Sequence, residues 1–221
     1  MDRPDLASEE HRHALRGLAR LNRISNSVGV VWPAILAAAR EAKGPLRVLD
    51  LATGGGDVPL GLWRRACRFG LTLDILGVDV SPRAVEIARE RARSAGTTVR
   101  FATLDVLTDS LPREFDVILA SLFLHHLGEQ QALGVLAKMA AASRQLVLVN
   151  DLVRSRRDLL LVALGARLLT TSRVVWTDAS LSVRAAFTVE ELGILAQAAG
   201  LQGATIQRRF PCRMLLQWRR P

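Results

Sequence analysis

Two adjacent histidines, His125 and His126, follow an apolar run, and an aspartate, Asp151, closes the next one. Imidazole is the side chain best suited to take a proton near neutral pH. A carboxylate at the neighbouring strand's end would orient such a ring and stabilise its charged form. Adjacent residues at a helix start point in different directions, so one histidine of the pair faces a site. We take His125 as the base, Asp151 as its partner and His126 as the fallback, whose alternative is packing against the sheet. Asp151 could instead ligate a metal, but no second nearby carboxylate is apparent and no metal is expected. The remaining histidines, His11 and His13, fall in an N-terminal helical pattern.

A second group of reactive types surrounds a glycine turn. Val48, Leu49 and Leu51 form the apolar run of a strand covered on both faces, and Gly54-Gly55-Gly56 follows. Glycines allow a tight turn or a close approach to a ligand. Pro59 suits the first turn of the helix opening there. A dinucleotide site would want G-x-G-x-x-G around a pyrophosphate. Here the third glycine position is Pro59, and Asp50 and Asp57 flank the loop. Both would repel an anion and attract an ammonium and a sulfonium. The D-x-A-x-G-x-G-D pattern resembles motif I of the class I S-adenosylmethionine-dependent methyltransferases. That resemblance implies cofactor contacts at Asp50, Ala52, Thr53, Gly54, Gly56 and Asp57; a plain tight turn is the alternative.

The elements that must position these groups alternate along the chain. A helix over 57–68 leads to a strand ending at Asp79, where an acid would accept ribose hydroxyls. Ser81-Pro82 opens the next helix. Gly77-Val78-Asp79-Val80-Ser81-Pro82 resembles motif II of the same family, which implies ribose at Asp79 and adenine against Val80. Val99 to Leu104 reads as the third strand, and the family implies an adenine contact at Asp105, with Val106 beside it. A fourth strand, 115–121, ends at Ser121 and runs into Leu122-Phe123-Leu124-His125-His126-Leu127. This ending resembles the post-strand-four motif of small-molecule methyltransferases, implying a cofactor contact at Ser121 and an acceptor contact at Phe123. A helix over 129–142 precedes the fifth strand, Gln145 to Asn150, with Asp151 at its end. The R-x-L-x-P-G-G turn that many relatives carry there is replaced by Ser143-Arg144. Some sugar O-methyltransferases with the histidine pair are similar in carrying an aspartate at the position of Asp151.

Strands alternating with helices predict a doubly wound, mostly parallel seven-stranded α/β sheet, the Rossmann-like methyltransferase fold. Ligands in such sheets bind beyond the carboxyl ends of the strands. Asp50, Gly54, Asp79, Asp105, Ser121, His125 and Asp151 all fall there. Upstream, an amphipathic helix is expected over 6–20 and another over 24–42. Between them Asn22, Ser27, Gly29 and Trp32 resemble the N-terminal segment of quinone-biosynthesis C-methyltransferases. The resemblance implies acceptor contacts at Asn22 and Trp32; helix capping by Ser25 or Asn26 is the alternative. Residues 152–187, with a helix over 156–170 and Trp176, are too long for a simple connection. They read as a lid over the acceptor, or as a dimer contact or surface helix. Thr188 opens a capped helix. The segments 203–209 and 212–219 read as a final edge hairpin.

With 221 residues, one domain is expected: a helical cap (1–44), a cofactor core (45–151), the lid (152–187) and a C-terminal helix and hairpin (188–221). Two cysteines exclude a disulfide framework and fit a reduced, cytoplasmic setting. The start, Met1-Asp2-Arg3-Pro4-Asp5, is too polar for a signal peptide, and the apolar run from Leu159 is too short to span a bilayer. The net charge of +9 is almost all arginine and comes without a nucleic-acid-binding motif, so no nucleic-acid partner is favoured. The expectation is S-adenosylmethionine-dependent methyl transfer to a small aromatic or apolar acceptor, by O-methylation of a phenolic or hydroxylated metabolite. Ring C-methylation of a quinone or polyketide, an RNA methyltransferase, a non-catalytic cofactor-binding partner and an NAD(P)-dependent oxidoreductase are the rivals.

Overall fold

The computed structural model describes residues 27–159, 161–162 and 180–221. The helix expected over 6–20, Ser25 and Asn26, and the acceptor residues Asn22 and Trp176 lie outside these residues. Helix α1 (Ser27–Glu41) precedes β1 (Leu46–Leu51), α2 (Asp57–Arg68), β2 (Leu73–Asp79), α3 (Pro82–Ser94) and β3 (Arg100–Thr103). Then come β4 (Val117–Ser121), a short 3-10 turn (Leu124–His126), α4 (Glu129–Ala142) and β5 (Leu146–Leu152). Beyond the stretch that holds residues not described come helix α5 (Val189–Ala198), β6 (Thr205–Arg209) and β7 (Arg213–Arg219).

The seven strands form one sheet in the order β3-β2-β1-β4-β5-β7-β6. The first five run parallel, and β7 enters antiparallel between β5 and β6. Strand alternation divides the core. Leu49, Leu51, Ile118, Val147 and Val149 pack with α4 and α5 on one face. Val48, Val117, Leu119 and Leu148 pack with α1, α2 and α3 on the other. Both faces are covered, which is why these strands read as unbroken apolar runs.

The local signals behave as their chemistry demands. Ser81 accepts from the Ala84 N–H to start α3, and Thr188 and Glu191 cap α5 reciprocally. The turn before β5 is closed from a distance: Arg220 donates from Nε to the Ser143 carbonyl at 2.9 Å and from Nη2 to the Ala140 carbonyl. A guanidinium thus satisfies the end of α4, the task a glycine turn would perform.

Three expectations are corrected. Strand β5 does not stop at Asn150: it pairs with β7 through Leu152, so Asp151 sits inside the strand. His125 and His126 occupy a 3-10 turn rather than the start of α4, which begins at Glu129 after Gly128. Trp32 is 4% exposed and meets Phe69 with ring centroids 5.3 Å apart, while Arg65 covers its ring. Phe69 caps the far end of α2, so Trp32 is a core residue and not an acceptor contact.

One ring fixes the shape of the strand tips. Phe101 in β3 stands opposite Gly77 in β2. A Cβ added at Gly77 would lie 2.7 Å from Phe101 Cδ1 and Cε1, and one added at Gly56 would lie 2.7 Å from Phe101 Cζ. Arg89 holds the Phe101 carbonyl from two nitrogens, at 3.0 and 2.7 Å. Gly77→Ala should therefore overpack the sheet, costing roughly 1–3 kcal/mol in urea unfolding. Phe101→Leu in the same chain should recover part of that loss.

Candidate active site

The glycine turn is built from left-handed backbone. Ala52, Gly54 and Gly56 have φ of 50°, 54° and 78°. The Thr53 N–H donates to the Val78 carbonyl at 2.9 Å, and the Gly56 N–H returns to the Thr53 carbonyl at 3.0 Å. The Asp79 carboxylate then ties two loops together, accepting the Gly54 N–H at 2.8 Å and the Ser81 N–H at 2.9 Å. Thr53 donates its hydroxyl to Asp50 Oδ2 at 2.6 Å. Asp50 is 2% exposed, and among the described residues its Oδ1 has no hydrogen-bond partner. Burial pushes the Asp50 carboxyl up to about 7, against the Thr53 hydrogen bond and with a further push from the Asp79 charge.

These residues fit an adenosyl cofactor with an ammonium and a sulfonium. The buried Asp50 Oδ1 is an acceptor awaiting a donor, and a cation would relieve its desolvation. A Cβ at Gly54 would meet nothing within 4 Å, so the turn borders open space. Two apolar side chains are exposed on the loops after β2 and β3: Val80 at 63% and Leu107 at 38%. Beside them Asp105 uses Oδ1 to accept the Leu107 N–H at 2.9 Å.

Two expected cofactor contacts look elsewhere. Asp57 binds Arg91 of α3 at 2.5 Å, and Arg91 also donates to the Gly55 carbonyl at 2.6 Å. Its charge is thus answered from the outer side of the loop, and Asp50 alone carries the electrostatic argument. The Val106 side chain is buried in the core, leaving only its backbone for a ligand.

The second half of the site lies at the tips of β4 and β5. Ser121 stands opposite Asn150, whose Nδ2 donates to the Ser121 hydroxyl at 2.9 Å. The Leu122 N–H donates to the Asn150 carbonyl at 2.8 Å and holds Leu122 at φ 58°. That reversal turns the chain over the sheet. Phe123 follows half-buried, and His125 Nδ1 comes to 2.6 Å from Asp151 Oδ1. Asp151 also accepts the His125 N–H at 3.3 Å and the Leu152 N–H at 2.7 Å. Burial pushes the Asp151 carboxyl up. The His125 hydrogen bond and charge, the Leu152 N–H and the Arg213 charge outweigh burial and hold it below the ordinary value. An ionised carboxylate only accepts, so His125 Nδ1 is the donor in this contact. His126 is exposed, with its ring 4.1 Å from that of His125.

Asn150 and Arg213 belong to this neighbourhood and were not anticipated. A polar residue ending the apolar run of β5 was a signal for Asn150. Arg213 is 4% exposed in β7, and nothing in the local pattern marks it as buried beside Asp151. Among the described residues, no group of three His, Cys, Asp or Glu could hold a metal ion, and no helix is long and apolar enough to cross a membrane.

Comparison with known proteins bears on the same stretch. Residues 48–145 match a family described as a methyltransferase domain. The demethylmenaquinone methyltransferase of Thermus thermophilus is 37% identical over 110 residues, 49% of this chain and 48% of its own. A ubiquinone biosynthesis O-methyltransferase of Methylococcus capsulatus is 29% identical over 125 residues, 56% of this chain and 50% of its own. The chain thus spans about half the length of these curated relatives. Among solved structures, the methyltransferase SibL in its apo form superposes with a TM-score of 0.72 at 23% identity, covering 94% of this chain and 57% of that one. Magnesium protoporphyrin IX methyltransferase from Synechocystis PCC 6803, with bound S-adenosylhomocysteine, gives 0.67 at 16% identity, covering 97% and 95%.

Asp50 makes the ligand-free chain sensitive to pH. A carboxyl raised from 3.8 to about 7 contributes stability that is whole below pH 4 and is lost as pH rises through 7. Asp50→Asn should leave unfolding free energy unchanged near pH 4 and raise it at pH 8, in parallel denaturant titrations.

Proposed function

We propose that this chain is an S-adenosylmethionine-dependent methyltransferase that methylates a small hydroxylated acceptor, with the His125–Asp151 pair as the base, a reading supported by the methyltransferase-domain match over residues 48–145. The observation that carries the reading is the 2.6 Å contact between His125 Nδ1 and a buried, ionised Asp151. When bound, S-adenosylmethionine supplies an electrophilic methyl on a sulfonium.

The chain's own residues have three tasks. The first is to hold the cofactor. Asp79 is assigned to the ribose and Asp105 to the adenine, and the buried Asp50 Oδ1 suits the ammonium. Ser121, its hydroxyl held by Asn150, is assigned as a further cofactor contact. The second task is alignment: an in-line displacement gains up to roughly 7–11 kcal/mol from positioning in favourable cases. The third is removal of the acceptor's proton. Asp151 fixes the His125 tautomer so that Nε2 can take the hydroxyl proton as the oxygen attacks, and it then stabilises the imidazolium.

An aromatic or apolar acceptor is favoured by the half-buried Phe123, which precedes the pair. A ring carbon is the second reading. It is favoured by the 37% identity to a demethylmenaquinone methyltransferase, since deprotonating a ring hydroxyl would also activate the neighbouring carbon. The carbon chemical shift of the transferred methyl separates an ether from a ring product.

His125→Ala should lower transfer to a phenolic acceptor by about 10²–10⁴-fold and leave the affinity for S-adenosylhomocysteine unchanged. Equal loss of both would make His125 a structural residue. In the unaltered chain, S-adenosylhomocysteine at about 100 times its Kd should stabilise the fold by about 2.7 kcal/mol. NADH and NADPH should give no shift in the same thermal scan.

A further inference from the structure

The loop after β3 is a single helical turn, and it is tied down at both ends. At its start, the Asp105 carboxylate accepts the Leu107 N–H at 2.9 Å, and the Asp105 N–H donates to Asp109 Oδ2 at 3.0 Å. The Asp109 N–H closes the turn on the Asp105 carbonyl at 2.8 Å. A lone turn leaves its last carbonyls without helical partners, and one turn is too short to hold itself in water. Those carbonyls converge on one side chain. Lys138 Nζ, from the third turn of α4, donates to the carbonyls of Val106 at 3.0 Å, Leu107 at 2.7 Å and Asp109 at 2.8 Å.

An ammonium has three N–H bonds, and here all three go to the one five-residue turn, 105–109. Lysine is rare in this chain: among 30 basic residues only Lys43 and Lys138 are lysines. A guanidinium is planar and presents its donors in a fixed fork. Three carbonyls wrapped around one point need the tripod of an ammonium instead.

We propose that Lys138 is a positioning residue for the adenine side of the cofactor site, acting through the 105–109 turn and rests on the cofactor reading above. By occupying the turn's carbonyls it holds the Asp105 carboxylate and the exposed Leu107 side chain where a base would lie against them. Among the described residues the partners of Lys138 are backbone carbonyls, so it acts on the cofactor through the loop.

The test is calorimetric binding of S-adenosylhomocysteine and of adenosine to the full chain, unaltered and with Lys138→Met. Met keeps the length of the stem and removes the donors. Both ligands should lose affinity by the same factor, about tenfold, the loss expected when one charge-assisted support is withdrawn. Adding Lys138→Met to Asp105→Ala should cost little more, because the two residues act through one turn. Lys138→Arg should restore the charge without the full affinity. If Lys138→Met does not fold, Lys138→Gln carries the same comparison. Unchanged affinity with a lowered melting temperature would make Lys138 purely structural and overturn the proposal. Loss for S-adenosylhomocysteine but not adenosine would place its effect away from the adenine side and overturn it equally. Failure of the unaltered chain to bind either ligand would overturn the cofactor reading itself, and this assignment with it.

Discussion

The site depends first on a steric agreement between Phe101 and two glycines. Its ring fills the space that side chains at Gly56 and Gly77 would need. With Phe101 pinned by Arg89 through its carbonyl, β3 lies close against β2, and the glycine turn settles onto the same ring. That contact leaves Asp79 within reach of the Gly54 N–H, so the loops after β1 and β2 share one carboxylate. Packing comes first here and polar geometry follows from it: close-packed interiors tolerate little volume change.

The reacting end rests on different physics. Its central group is a buried carboxylate with three hydrogen-bond donors, two of them backbone N–H groups. Such a group stays ionised only while every donor stays in place. The 3-10 turn delivers both the His125 ring and its N–H to Asp151, so a change in the turn would disturb orientation and charge together. Asp50 is the counterpart. It has one hydroxyl donor and, among the described residues, one oxygen with no partner, and burial holds its carboxyl up at about 7. Two buried aspartates, on β1 and on β5 with β4 between them, are thus driven in opposite directions, because only Asp151 has donors enough to offset its burial.

Much of this was legible in the chain. Helices α2 and α4 lie at the bounds their glycines and apolar stripes announce, and the strand-end aspartates fall where a parallel sheet gathers them. The identities of His125 and Asp151 were readable; their contact needed the fold. What escaped was non-local. Asp57 looks like a loop charge until Arg91, 34 residues later, reaches back to it. Strand β5 runs on past Asn150 because β7, far along the chain, pairs with it. Trp32 was misassigned by motif order, although its three-residue spacing to Ile35 already puts both on one helical stripe. Lys138 and Arg220 close loops through backbone carbonyls, and no side-chain pattern reports an unsatisfied carbonyl.

Among the described residues the sheet ends in β3 on one side and β6 on the other, and both border strands carry arginine. Strand β3 is four residues long and begins with the exposed Arg100. Strand β6, at the other border, ends in Gln207, Arg208 and Arg209, all exposed. A bare strand edge offers unpaired N–H and C=O groups to any other chain, and like charge along it discourages such pairing. Part of the chain's arginine thus lies along the two borders of the sheet, Arg100 paired with Asp74 on one and Arg208 and Arg209 exposed on the other, where charge works against the addition of a further strand.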